Sequence, residues 1–291
     1  MTYNELWRKL TPTYSDGEAK AIVRRVLETR FGLSVADIYC GRVAELNDQE
    51  AKELDSIMDR LAKAEPVQYV LGEETFAGRT FKVNPSVLIP RPETEELCSL
   101  IVDDCRHIPF SNTLSIDNVA PLPITILDIG TGSGCIAITL ALDIDVAEVT
   151  AWDISPQALA TARHNAETLK ANVSFEERDA LCPPADAELW DVIVSNPPYI
   201  CHKEKAAMER NVLDHEPHLA LFVPDNAPLL FYRAIALYGF SALKKGGRLW
   251  FEVNAAYAAD TAAMLADMGY ADINIVNDCF GSRRFIKATR P

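Results

Sequence analysis

The stretch of the sequence with the clearest chemical meaning is Ser195-Asn196-Pro197-Pro198-Tyr199. It follows an apolar run at residues 190–194 that is typical of a buried β-strand. The side-chain oxygen of Asn196 and the main-chain oxygen of Pro197 can accept hydrogen bonds from the two N–H groups of a planar NH2. Because proline has a fixed φ, the second oxygen is held still. We interpret the stretch as a clamp that presents a nitrogen to a methyl donor, with Tyr199 stacked on the acceptor plane.

The clamp suits a primary amide acceptor. An amide nitrogen is a poor nucleophile because its lone pair is delocalised into the carbonyl group, so catalysis has to come mainly from orientation. Well-oriented reactants can gain about 7–11 kcal/mol in favourable cases.

A second motif could bind the methyl donor. The sequence Asp128-Ile129-Gly130-Thr131-Gly132-Ser133-Gly134 lies between a strand-like run and a helix-like run. Its three glycines permit positive φ and let a ligand lie against bare backbone. Asp153 ends the next strand-like run, about 20 residues on, where a carboxylate can bind ribose hydroxyls. The two features together predict a cofactor that contains a nucleoside.

The glycine spacing favours one nucleoside cofactor over another. Dinucleotide sites commonly have the pattern GxGxxG, whereas this chain has GxGxG. The difference favours S-adenosylmethionine, which has an adenosine but no pyrophosphate. Asp179 could accept a hydrogen bond from the adenine amine, and Ala180 beside it could pack on the ring.

From residue 124 onward the sequence alternates between strand-like and helix-like segments, which predicts a mostly parallel sheet covered by helices. We expect strands at residues 124–128, 148–152, 173–177, 190–195, 247–253, 272–276 and 283–288, and helices at residues 135–142, 156–169, 227–243 and 255–268. Ligands of such sheets bind beyond the carboxyl ends of the strands, where the strand order switches. Both motifs directly follow predicted strands, so we expect them together at the carboxyl ends of the strands.

The whole chain divides into three predicted regions, and the third contains a predicted loop. Residues 1–73 should form a small helical bundle, which serves either as a purely structural unit or as a docking module for a partner. Residues 74–90 should form a β-hairpin linker. Residues 91–291 should then form the catalytic domain, starting with a helix that has Pro92 in its first turn. Residues 106–123 are rich in Ser, Asn and Pro and predict a loop.

Composition narrows the possible partners. The formal net charge is −14, which argues against a surface built to bind phosphate backbones and favours a protein partner. The seven cysteines include no CxxC pair, which favours reduced thiols and a cytoplasmic location. We expect no signal peptide, since residues 1–10 lack an apolar core, and no membrane span, since no apolar run approaches the roughly 20 residues needed. We also expect no metal site, because Cys201, His202, His215 and His218 fit no usual zinc spacing.

Taken together, the glycine-rich motif, Asp153 and the Asn196–Pro197–Pro198–Tyr199 motif resemble those of class I amino-methyltransferases. Two further sequences, Pro90-Arg91-Pro92-Glu93-Thr94-Glu95 and Glu216-Pro217 with Ala220-Leu221, make the chain similar to the HemK/PrmC family of peptide chain release factor glutamine methyltransferases. The resemblance covers essentially the whole chain. It implies a Rossmann-like, seven-stranded α/β domain that depends on S-adenosyl-L-methionine, preceded by the helical domain and the hairpin.

The same resemblance implies a substrate and a set of site residues. The acceptor would be the glutamine of the GGQ motif in class 1 release factors, with no direct nucleic-acid partner. The implied catalytic residues are Asn196, Pro197, Pro198 and Tyr199, and the implied cofactor-binding residues are Asp128, Gly130, Thr131, Gly132, Ser133, Gly134, Asp153, Ile154, Asp179, Ala180 and Asn196. The chain departs from the family at Ala180, where an aromatic residue is common, at Leu88, where some relatives have phenylalanine, and at residues 111–119, which we interpret as an inserted loop.

Three other functions are compatible with parts of the pattern. The same clamp could hold the amine of a flipped nucleobase, which would make the protein a DNA or RNA methyltransferase. The fold could instead serve as a non-catalytic binding module, or bind a nicotinamide cofactor. Salt-sensitive nucleic-acid binding, cofactor turnover and the choice between cofactors distinguish these functions.

Overall fold

The computed structural model describes residues 1–106 and 123–291. The described residues form two compact units, one of residues 1–73 with 208–216 and one of residues 74–207 with 217–291. The loop expected at residues 106–123, apart from its two end residues, and the insertion expected at residues 111–119 lie outside the described residues.

The helices follow one another along both units. In chain order, α1 to α12 are Tyr3–Leu10, Asp16–Phe31, Val35–Tyr39, Asp48–Leu61, Val67–Leu71, Pro92–Cys105, Cys135–Asp143, Pro156–Leu169, Arg210–His215, His218–Leu221, Leu230–Ala242 and Ala258–Asp267. Short 3-10 helices lie at Arg42–Glu45, His202–Ala207 and Ala255–Tyr257. None of the helices in the described ranges has the length and apolar character of a membrane span.

The strands lie in the second unit, apart from the first residue of β1. In chain order, β1 to β11 are Glu73–Phe76, Arg79–Lys82, Ile124–Ile129, Ala147–Asp153, Val173–Glu177, Trp190–Ser195, Ile200–Cys201, Phe222–Val223, Leu243–Glu252, Ala271–Asn277 and Arg283–Thr289. The hairpin β1–β2 is shorter than the expected one, because Asn84-Pro85 follows it and proline lacks the N–H that a longer ladder would need.

The first unit is helical, as its sequence predicts. The Asn47 side chain accepts hydrogen bonds from the N–H groups of Gln49 and Glu50 and so caps α4. Ser15 caps α2, and Ser34 caps α3. Leucine and valine side chains of α1, α2 and α4 fill a separate apolar core. The proposed docking role of this unit stays a prediction.

The second unit is built on a mixed sheet with strand order β10-β11-β9-β6-β3-β4-β5, which confirms the expected seven strands. Strands β5, β4, β3, β6 and β9 run parallel, while β11 is antiparallel to both β9 and β10. The chain goes from β3 to β4 on one side and later returns to β6 on the other side. The strand order therefore switches between β3 and β6, where ligands of such sheets bind.

Alternate residues of the central strands pack on opposite faces of the sheet. In β3, Ile126 belongs to a core with residues of α6 and α7, whereas Leu127 belongs to a core with residues of α11 and α12. Val192 and Ile193 of β6 divide in the same way. This period of two follows from strand geometry and places helices on both faces.

Two segments near the clamp differ from a simple loop-and-helix pattern. The expected helix at residues 227–243 starts only at Leu230, because Pro228 disfavours helical backbone at Ala227. The charged stretch at residues 203–210 is mostly helical, in the 3-10 helix His202–Ala207 and at the start of α9. Within it, the Glu204 carboxylate accepts a hydrogen bond from the Cys201 N–H at 2.7 Å.

Candidate active site

A cavity of about 390 Å³ lies beyond the carboxyl ends of β3, β4 and β6. Its size is in the range of small-molecule sites. Its lining includes residues of the glycine-rich turn, Asp153 and Asn196. All of its lining residues belong to the second unit. The two motifs found in the sequence therefore share one cavity at the switch point of the sheet.

The glycine-rich turn presents bare backbone to this cavity. Gly130 and Gly132 have φ of +79° and +56°, and a Cβ atom at either position would meet nothing within 4 Å. Both residues line the cavity, as do Thr131 and Ser133. A ligand can approach the main chain here without meeting a side chain.

Gly134 has a different role from the one expected. Its φ is +82°, and an added Cβ would lie 2.9 Å from Ile138 Cδ1 and 3.1 Å from Ala162 Cβ. Gly134 is absent from the cavity wall. We expected contact with the cofactor, but this glycine allows α7 and α8 to pack closely.

Asp153 lines the cavity and fixes the turn beside it. One carboxylate oxygen accepts a hydrogen bond from the Gly132 N–H at 2.8 Å, and the other accepts from the Ser155 N–H at 2.9 Å. Burial raises the pKa of this carboxyl group. Each oxygen keeps a lone pair, so the group can still accept from a ligand hydroxyl.

Asp128 lies behind the turn and not in the cavity wall. Its Oδ2 accepts hydrogen bonds from Thr131 Oγ1 at 2.6 Å and from the Ala137 N–H at 3.2 Å. The side chain is fully buried, and burial raises its pKa to about 7. We expected direct cofactor contact, whereas the structure shows Asp128 bracing the turn from behind.

The remaining expected cofactor residues form another part of the wall. Ile154, Asp179 and Ala180 line the cavity, and Asp179 Oδ1 accepts a hydrogen bond from the Leu181 N–H at 2.8 Å. Leu88 lies in the same wall. Sequence reasoning did not single out Arg91 or Arg178, which also line the cavity and add positive charge to a site that contains two aspartates.

The clamp enters the cavity through Asn196, Pro197 and Pro198. The Ser195 hydroxyl donates to the Ile129 main-chain oxygen at 2.6 Å, which ties the ends of β6 and β3 together. Asn196 Nδ2 donates to Thr94 Oγ1 at 3.3 Å. The clamp is thus attached both to the neighbouring strand and to the start of α6.

Tyr199 is placed differently from our expectation. It is absent from the cavity wall, and its ring packs against the apolar core on the α11 side of the sheet. Its hydroxyl donates to Glu252 Oε1 at 3.4 Å, and burial raises the pKa of the phenol. The adjacent core and Glu252 hold the ring in this position.

Sequence reasoning missed two site residues, Thr94 and Glu252. Thr94 lines the cavity, and its hydroxyl donates to Glu252 Oε2 at 2.7 Å. Glu252 is 2% exposed, and burial raises its pKa to about 7. Its signal in the sequence is an acid at the end of an apolar strand. That signal gains meaning only when the sheet order places β9 beside β6.

The described residues contain no group of three or more His, Cys, Asp or Glu side chains that could hold a metal ion. Cys135, at the start of α7, is buried, and burial raises the pKa of its thiol to about 12. A thiol in this state is a packing group and not a nucleophile.

Comparison with known proteins shows similarity along most of the chain. Residues 7–72 match the family profile described as PrmC N-terminal domain, and residues 112–219 match the one described as Methyltransferase small domain. A release factor glutamine methyltransferase of Bacteroides thetaiotaomicron is 45% identical over 284 residues, which cover 97% of each chain. One of Flavobacterium psychrophilum is 38% identical and covers 96% of this chain and 94% of the relative.

Solved structures show the same fold at low identity. A methyltransferase from Pyrococcus furiosus aligns with a TM-score of 0.51 and 15% identity, covering 81% of this chain and 98% of that chain. The hMettl16 catalytic domain aligns with a TM-score of 0.52 and 14% identity, covering 84% and 82%. The family follows from the curated relatives: being 45% and 38% identical to the Bacteroides thetaiotaomicron and Flavobacterium psychrophilum proteins over nearly its full length, the chain belongs to the release factor glutamine methyltransferase family.

Proposed function

We propose that this protein transfers a methyl group from S-adenosyl-L-methionine to the side-chain amide nitrogen of the glutamine in the GGQ motif of class 1 release factors. The observation that carries the proposal is the shared cavity. Asn196 and Pro197 line the same space as the glycine-rich turn and Asp153. An acceptor held by the clamp would therefore be close to a cofactor held by the turn.

The cavity residues fit the cofactor. Gly130 and Gly132 leave room beside the main chain for the methionine portion, and Asp153 can accept from ribose hydroxyls. Asp179 and Ala180 would take the adenine. When bound, the cofactor supplies an electrophilic methyl carbon on a sulfonium, and the sulfur keeps the electron pair of the broken carbon–sulfur bond.

The clamp residues prepare the acceptor. Asn196 Nδ2 is engaged by Thr94, so Oδ1 is left to accept one N–H of the glutamine amide. The Pro197 main-chain oxygen accepts the other N–H. The two bonds fix the amide plane and direct the nitrogen, and the nitrogen releases a proton to water once it is alkylated. Orientation supplies most of the rate gain in this arrangement.

The proposed partner also fits the charge of the chain. A net charge of −14 favours a protein with a basic surface over a bare phosphate backbone. We propose that the first unit contributes to docking of the release factor, and that the reaction takes place in the cytoplasm. The relatives' names support a release factor substrate.

Incubation of the protein with a class 1 release factor and methyl-labelled S-adenosylmethionine tests the proposal. We expect label on the GGQ glutamine, located by mass spectrometry of the digested factor. A release factor with alanine in place of that glutamine is the control and should stay unlabelled. Label on another residue, or on nucleic acid offered in parallel, would contradict the proposal.

A further inference from the structure

A chain of hydrogen bonds runs from the clamp to the end of β9, and its central bond, between Thr94 and Glu252, is buried. Asn196 Nδ2 lies 3.3 Å from Thr94 Oγ1, and Thr94 Oγ1 lies 2.7 Å from Glu252 Oε2. The Tyr199 hydroxyl lies 3.4 Å from the other oxygen of the same carboxyl group. Thr94 and Glu252 are 3% and 2% exposed, so water does not compete for the bond between them.

The direction of these bonds follows from the number of protons available. An ionised carboxylate only accepts, so the single hydroxyl proton of Thr94 is donated to Glu252. The lone pairs of Thr94 Oγ1 then face Asn196, and only the NH2 end of the Asn196 amide can satisfy them. This leaves Asn196 Oδ1 to accept from a substrate.

Protonation of Glu252 removes this constraint. A protonated Glu252 can donate to Thr94 Oγ1, and the hydroxyl proton of Thr94 is then free for Asn196 Oδ1. The Asn196 amide could then rotate by about 180°. It would present its own NH2 group to the NH2 group of the substrate glutamine, and neither group can accept a hydrogen bond from the other. Such a clamp no longer binds a glutamine amide.

The surroundings of Glu252 balance its two charge states. Arg284, which forms an ion pair with Asp278 at 3.3 Å, favours the ionised form, as do the hydrogen bonds from Thr94 and Tyr199. Burial and the charge of Glu93 favour the neutral form. The outcome is a pKa of about 7 for Glu252, well above the usual range of a carboxyl group.

We propose that Glu252 is a positioning residue of the transfer reaction. Its carboxylate orients the Thr94 hydroxyl and thereby fixes the Asn196 amide with Oδ1 directed to the acceptor. The inference rests on the proposed function for its effect on turnover, but the orientation of Asn196 can be measured without any acceptor.

The first experiment removes the link between Glu252 and Asn196. In Thr94→Val the hydroxyl is lost at nearly constant volume, and we expect kcat for methyl transfer to fall about tenfold or more, the loss that one misdirected hydrogen bond causes. The dissociation constant of the cofactor, measured by calorimetry, should change less than twofold. Thr94→Ser keeps the hydroxyl and should restore most of kcat.

Thr261→Val is the matched control for this substitution. Thr261 is also a buried helical threonine, and its hydroxyl donates to the Tyr257 main-chain oxygen at 2.8 Å, away from the cavity wall. We expect kcat of this variant to match that of the unmodified protein. If Thr94→Val has the same kcat as Thr261→Val, Thr94 does not position the clamp and the proposal fails.

The second experiment measures the pH dependence. We expect kcat of the unmodified protein to fall below about pH 7 and this acid limb to disappear in Glu252→Gln, which cannot ionise. Cofactor affinity at each pH separates this effect from titration of Asp128 behind the glycine-rich turn. An acid limb that persists unchanged in Glu252→Gln overturns the proposal.

The third experiment reads the orientation directly. The Asn196 side-chain NH2 signal in the nitrogen-15 NMR spectrum, assigned by its loss in Asn196→Asp, should shift with pH in the unmodified protein and stay constant in Glu252→Gln. If the signal behaves so but no glutamine is labelled, the proposed function fails and the positioning role stands. If glutamine is labelled but the signal does not respond to Glu252, the positioning role fails alone.

Discussion

Asn196 is the residue on which the proposed chemistry depends most directly. Its Nδ2 is engaged by Thr94, and its position in the cavity wall leaves the oxygen for the acceptor. Replacement by alanine should lower kcat/KM for methyl transfer by a factor on the order of 10² or more, as loss of a preorganised hydrogen-bonding group does in other enzymes. Transfer of label to a release factor measures this change.

The fold and the cofactor site should survive in Asn196→Ala. Thermal unfolding and cofactor calorimetry check both properties. Asn274→Ala, at an exposed position on β10, is the control and should leave transfer unchanged. Full activity of Asn196→Ala would contradict the clamp.

A second prediction at the residue scale concerns Asp128 and the pH dependence of the free energy of unfolding. Its pKa is about 7 in the folded protein and about 3.9 when unfolded. A raised folded pKa contributes stability that is complete below the unfolded pKa and is lost as the pH rises through the folded pKa. Since each pKa unit is worth about 1.4 kcal/mol, the contribution lost between pH 4 and pH 8 is on the order of 4 kcal/mol.

Asp128→Asn removes this titration. The free energy of unfolding of the variant, relative to that of the unmodified protein, should therefore rise as the pH increases from 5 to 8. Urea unfolding at several pH values measures the difference. Asp267→Asn, at an exposed position, should give a difference that is nearly constant with pH. A constant difference for Asp128→Asn would show that Asp128 is not buried in a neutral form.

At the residue scale, the sequence predicts the site better than it predicts roles within the site. Asn196, Gly132 and Asp153 meet in one cavity, as their positions after predicted strands imply. The positions of Asp128 behind the turn and of Tyr199 against the core could not be predicted, because whether a side chain faces the cavity or the core depends on backbone direction. Chain order alone does not give that direction.

The glycine-rich turn makes a prediction at the scale of the element. In Gly134→Ala, the new Cβ would overlap Ile138 and Ala162 at a residue with positive φ. We expect a loss of about 2–4 kcal/mol in the free energy of unfolding, from left-handed backbone strain together with overpacking.

Gly132→Ala provides the contrast within the same turn. Its Cβ would point into open space in the cavity, so only the backbone strain of about 1–2 kcal/mol affects stability. Cofactor affinity should instead fall at least tenfold, because the Cβ takes up space that the ligand needs. Denaturant unfolding and calorimetry distinguish the two effects, and equal stability losses would contradict the separate roles.

The positions of helices and strands along the chain were more predictable than the pairing of strands in the sheet. Local sequence signals agree with the structure at helix starts and in buried strands. Examples are the helix caps Asn47 and Ser155 and the apolar run at residues 190–195, which forms a strand. The pairing of β9 with β6, which brings Glu252 to the clamp, joins segments about 50 residues apart. No local pattern contains that information, so Glu252 could not be found in advance.

Charge is the property of the whole molecule that bears most on its function. Because the net charge of the chain is −14, association with a partner whose docking surface is basic should be electrostatically assisted. We expect kcat/KM for the release factor to fall several-fold between 50 mM and 300 mM salt while kcat changes little, because screening weakens long-range attraction. Initial rates at several factor concentrations measure both constants. A higher kcat/KM at high salt would contradict an assisting role of charge.

Asp128 and Glu252, two buried acids with pKa values near 7, lie behind the cavity wall, and each can hold a proton near neutral pH. A sulfonium brought nearby favours their charged forms, so loading of the cofactor should expel protons into the buffer. The demethylated cofactor has no such charge, and the acids can take protons back after transfer. Each round of catalysis would then be accompanied by a cycle of proton release and uptake.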